Sequence, residues 1–151
     1  MEDPERYVWD ELNRLQQALL STLDDHARLC DVSEPDRNAL SGARWRVAQA
    51  GRVRMDFLNG TVFPAAEAVA TGEERRRVIA FRDGTASYQR HISGYVARWP
   101  TEAIMSDWPG YKAAAKVFRE EVGARIAEEA AALRPVLRRS EVLGRYDQAK
   151  A

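Results

Sequence analysis

Apolar residues recur along this chain with a helical period, and strand-like alternation is absent. The first stripe is Val8, Leu12, Leu15, Leu19, Leu23 and Cys30, which predicts a helix from about Pro4 to Cys30. The segment DVSEPDR interrupts it, with Ser33 able to cap and Pro35 suited to a first helical turn. A second helix begins near Asp36 and passes Leu40, Val47 and Leu58 toward Val62. TGEERRR separates it from a third, with Thr71 or Gly72 in the turn and two acids in the new first turn. The third stripe is Val78, Phe81, Tyr88, Ile92, Tyr95 and Trp99.

The connector RWPTEAIMSDWPGY holds two Trp-Pro steps, and proline disfavours helical geometry in the residue before it. Breaks are expected near Trp99 and Trp108, with a short turn over Thr101–Met105 between them. Ser106 or Asp107 then caps a fourth helix carrying Tyr111, Ala115, Phe118, Val122, Ile126, Leu133 and Val136. The small polar tail after Arg145 is expected to fray. Four long helices with short links predict an all-α, up-down-up-down four-helix bundle forming a single domain over residues 1–151.

Within RIAEEAAALRPVL, residues 125–137, a carboxylate falls on the apolar face. At about 100° per residue, Phe118, Val122, Glu129, Leu133 and Val136 share one narrow sector, with Arg125 at its edge. A buried carboxylate is costly unless paired or bound. Arg125 lies four residues earlier, within reach on the same face. The second helix repeats this skeleton: Arg54 stands ten residues before Pro64, as Arg125 stands ten before Pro135. Leu58 takes the place of Glu129, and Val62-Phe63-Pro64 parallels Leu133-Arg134-Pro135. A proline there is expected to end or kink each helix.

The doubled skeleton resembles the hemerythrin-like (HHE cation-binding) family, in which His-x-x-x-Glu followed by an LfP-like step recurs on helices two and four. The connector RWPTEAIMSDWPGY is similar to the Trp…Ile…Asp-Trp…Tyr segment before helix four in bacterial members. The resemblance covers nearly the whole chain and implies the four-helix fold and a non-haem di-iron centre between the helices. In this chain Arg54 and Arg125 stand at the expected histidine positions and Leu58 at a carboxylate position. Glu129 alone is retained, and the first-helix ligand position falls near Gln16. Guanidinium offers a metal no lone pair, so this set does not make a di-iron site.

His26 lies on the apolar face of the first helix, about ten residues past the expected ligand position, and reads as a satisfied core histidine, a ligand contact or a pH-sensitive group. His91 sits at the edge of the third stripe as a boundary residue or pocket group. The charge run Glu73–Arg77 reads as a solvated face.

Lys+Arg and Asp+Glu are equal at 23 each, so the chain has no overall electrostatic pull on nucleic acid or membrane. One cysteine, Cys30, excludes an internal disulfide. The amphipathic start lacks a signal-peptide pattern, and the expected location is the cytoplasm. No nucleophile–base motif, phosphate loop or Cys/His cluster is present. The expected function is that of a metal-free, non-catalytic bundle with a regulatory, sensory or protein-interaction role and no cofactor. Two alternatives stand beside it. One is a sensor for a small anionic ligand held by Arg54 and Arg125. The other is an iron- and oxygen-binding protein with ligands rearranged to His26, His91, Glu129 and acids such as Asp56. Partner identity and assembly, including a homodimer, stay open at the sequence level.

Overall fold

The computed structural model describes residues 8–150, with side chains described for residues 8–140. Among the described residues the chain is all-helical. Helix α1 spans Val8–Cys30, α2 Arg37–Phe57, α3 Phe63–Val69, α4 Gly72–Arg98, α5 Thr101–Ser106 and α6 Trp108–Lys150. A π-helical turn, Leu58–Val62, joins α2 to α3. The expected start of the first helix at Pro4 lies outside the described residues. No helix among them is long and apolar enough to cross a membrane.

Asp36, rather than Ser33, caps α2 by accepting a hydrogen bond from the Ala39 amide at 3.1 Å. Gly72 opens α4 at φ 58, a conformation that side chains beyond glycine avoid. Asp107 caps α6, its carboxylate accepting from the Gly110 amide at 3.0 Å. The short α5 occupies the space between the two Trp-Pro steps.

Of the two expected outcomes, ending or kinking the helix, neither proline produces the first. Pro64 does not end the second helical segment. The π turn places the Phe63 amide on the Leu58 carbonyl, a longer register than the α-helix uses, and Pro64 falls in the first turn of α3. A missing donor costs nothing there. Pro135 lies inside α6, which continues to Lys150 through the segment expected to fray. Val136 and Leu137, immediately after the proline, are fully buried. Their burial favours continuing the helix despite the lost hydrogen bond.

The core forms three layers. One gathers Leu12 of α1, Leu58 and Val62 of the π turn, Phe63, Val78 and Leu133. The middle layer gathers Leu19, Leu23, Val122 and Ile126. The third gathers Cys30, Leu40, Tyr95, Ile104, Trp108 and Tyr111. The run Glu73–Arg77 lies on the outside, where Arg76 pairs with Glu73 and Arg139 of α6 with Glu74. Such exposed pairs contribute at most about 1 kcal/mol each.

Candidate functional site

Between the first and middle layers the core turns polar. Glu129 of α6, only 1% exposed, receives two guanidinium groups. Arg54 of α2, 2% exposed, donates Nη2 to one carboxylate oxygen. Arg125, one turn earlier on α6, donates Nε to the other at 2.7 Å. Arg125 also donates Nη2 to the Phe81 carbonyl at 3.3 Å. Its guanidinium lies 5.1 Å from the Phe81 ring centroid and 4.9 Å from that of Tyr88. The outer arginine is thus held by aromatic faces as well as by charge. Gln16 is buried on α1, and its Nε2 has no hydrogen-bond partner, nor does Nε of Arg54. Leu58 sits in the first apolar layer.

The site therefore carries two cations and one carboxylate in a region nearly sealed from water. Both oxygens of Glu129 are taken by arginines. Among the described residues no three His, Cys, Asp or Glu side chains are grouped to hold a metal ion. The residues at these positions do not fit the di-iron centre that the family resemblance implies, because the arginines supply charge where lone pairs are needed.

The two histidines lie apart from this cluster and from each other. His91 is exposed on α4 and meets Glu121 at 2.7 Å. It does not line the cavity described below, so the structure does not support a pocket role for it. His26 is buried, with Nε2 2.7 Å from the Tyr111 hydroxyl and Nδ1 3.8 Å from the Cys30 sulfur. Burial pushes its pKa down to about 4, with the charges of Arg119 on α6 and Arg44 on α2 adding to the effect. Burial also pushes the Tyr111 hydroxyl well above its ordinary value, so it stays protonated.

His26 gives the fold a pH dependence whose sign is set by these values. The unfolded chain takes up the proton below about pH 6.5, whereas the folded protein refuses it until about pH 4. Stability is therefore full above pH 6.5 and falls as the pH drops through that window. The loss expected by pH 4 is about 3 kcal/mol. Urea unfolding at pH 7 and pH 4.5 should show a smaller drop for His26→Gln than for the parent. Equal drops in the two proteins would assign the acid sensitivity to other groups.

A cleft of about 520 Å³ opens beside His26. Helices α2 and α4 form its walls, while α1 and α6 form its floor through Leu19, Leu23, Phe118 and Val122. Arg54 lies at one end with Asp56 and Tyr88, and Arg44 at the other with Tyr95 and Tyr111. Arg125 is not among the lining residues. The sequence reading singled out Arg54 and His26 but missed Arg44, Ala48 and Gly51. For the last two the signal was present as a pair of small residues at i and i+3, Ala48 and Gly51, on one side of α2.

Comparison of the chain with family models, curated proteins and solved structures gives no match in any of the three.

Proposed function

We propose that this chain is a metal-free, non-catalytic relative of the hemerythrin-like bundles, with a regulatory, sensory or protein-interaction role in the cytoplasm. The observation that carries the reading is the closure of Arg54 and Arg125 on Glu129. These are the positions at which the resemblance expects two histidines and a carboxylate. The arginines supply the positive charge that a metal would otherwise bring to the retained glutamate. An up-down-up-down course is supported by the layers: Leu12, Leu58, Val78 and Leu133 meet at one level, and Cys30, Leu40, Tyr95 and Tyr111 at another. Each successive long helix thereby crosses the layers in the opposite sense.

Protein produced in iron-supplemented medium is expected to hold no stoichiometric iron and to show no ligand-to-metal absorption in the visible range. Elemental analysis of the purified chain decides this directly. About two irons per chain would return the protein to the di-iron class. The second reading, a sensor for a small anion, is favoured by the position of Arg54 at the end of the cleft.

A further inference from the structure

We propose that the cleft between α2 and α4 binds a small apolar carboxylate, its tail between the two helices and its head on Arg44. This deepens the sensor reading and moves the anion from the Arg54–Arg125 pair to the opposite end of the cleft.

The first support is that the space is built into the sequence of α2. A β-carbon added at Gly51 would meet no atom within 4 Å, so this glycine serves no close helix approach. Glycine inside a helix is less favourable than alanine, and packing does not require it here. With Ala48 one turn earlier, Gly51 leaves the middle of the α2 wall open. The cavity volume falls in the range of small-molecule sites, about 300–1,000 Å³.

The second support is the lining. Leu23, Val47, Ile92, Val96, Phe118 and Val122 present a mostly apolar surface to whatever enters. Val96 is half exposed at the mouth. An apolar tail placed there would leave water at about 25 cal/mol per Å² buried.

The third support is charge. Arg44 lines the cleft 5.8 Å from the Tyr111 ring, and no carboxylate of the described residues pairs with it. Arg54, by contrast, already holds a carboxylate oxygen of Glu129, and Asp56 makes that end unwelcoming to an anion. Arg52, exposed and also without an acidic partner among the described residues, adds a second positive charge along the α2 wall. A half-buried guanidinium at the end of an apolar slot suits a carboxylate head, which it can grip with two parallel hydrogen bonds.

Decanoate and its neutral counterpart decanol serve as probes, titrated calorimetrically into the full-length chain below their aggregation concentrations. Decanoate is expected to bind about ten- to a hundredfold more tightly than decanol, the ratio that a charge-assisted hydrogen bond sets. Arg44→Met should remove that preference while leaving decanol binding unchanged. Gly51→Phe should abolish both, because its ring fills open space, and its helical circular dichroism should match the parent. Amide chemical-shift mapping of decanoate on the unmodified protein gives the location without any variant, and shifts should centre on residues 44–51 and 92–96. Equal affinity for the two probes would overturn the head-group assignment. No binding, or shifts confined elsewhere, would overturn the site. A dimer in sedimentation that decanoate leaves intact, with the cleft amides protected, would instead make a second copy the occupant and overturn the small-ligand proposal. Iron content tests the metal-free reading without involving the cleft, so the two ideas can fail separately.

Discussion

Glu129→Leu lowers the free energy of unfolding by about 3–5 kcal/mol, the cost expected when one partner of a buried ion cluster is removed. Leucine fills similar space, so the loss is electrostatic rather than a cavity effect. It arises because Arg54, with a side chain only 3% exposed, is left without any acid and already has an unpartnered Nε. The three members of the cluster are not equivalent. Arg125 is 20% exposed at its side chain and retains the Phe81 carbonyl and two aromatic faces. Arg125→Met should therefore cost least. Arg54→Met leaves Glu129 paired with Arg125 and should fall between the two. The triple variant Arg54→Met, Arg125→Met, Glu129→Leu should recover most of the stability lost by Glu129→Leu alone, since buried ion clusters often exchange for apolar groups at little cost. Denaturant unfolding of the set measures the coupling. A neutral Glu129→Leu would show that the cluster carries no net electrostatic weight, and the proposal that the arginines stand in for a metal charge would lose its energetic basis.

Trp108→Ala is the other large effect, with an expected cost of about 3–5 kcal/mol. Trp108 is 7% exposed at the start of α6 and packs in the layer containing Ile104, Tyr111 and Cys30. Its indole Nε1 donates to the Val32 carbonyl at 3.1 Å, tying the α1–α2 loop to the α5–α6 junction. Its ring stacks near Tyr111, with centroids 6.0 Å apart, and Lys112 lies 5.7 Å from the indole centroid. The alanine variant loses this buried area and leaves the Val32 carbonyl to the Lys112 ammonium, which reaches it at 3.2 Å. Trp108→Phe should retain most of the packing and lose mainly the indole hydrogen bond, a difference near about 1 kcal/mol. A melting temperature unchanged by Trp108→Ala would mean that the connector does not help hold the helices together.

The α1 stripe read from spacing, from Val8 through Leu23 to Cys30, is the buried face of that helix. The short α5 falls between the Trp-Pro steps because those prolines act on their immediate neighbours. The two prolines at 64 and 135 were legible as residues, but not that the helical course would continue past them. Whether a proline ends a helix depends on what the following turns can bury, and here Ala66, Val136 and Leu137 are buried. Local rules cannot include that term.

The polar cluster divides in the same way. The four-residue spacing determines that Arg125 can reach Glu129, because an α-helix brings such positions together wherever it forms. That Arg54 closes on the same carboxylate from α2 is decided by the packing of two helices 75 positions apart in sequence. The burial of His26 against Tyr111, 85 positions away, is decided similarly, and so is its depressed pKa. The cleft was the least legible feature, since empty space belongs to no residue. Ala48 and Gly51 open it only because α4 and α6 stand where they do. Sequence alone thus determined which faces are apolar and which side chains share a turn, both short-range properties of a helix. The tertiary structure decided which charges meet, which titratable groups lose water and where a cavity remains, because these depend on distances between helices that no local period encodes.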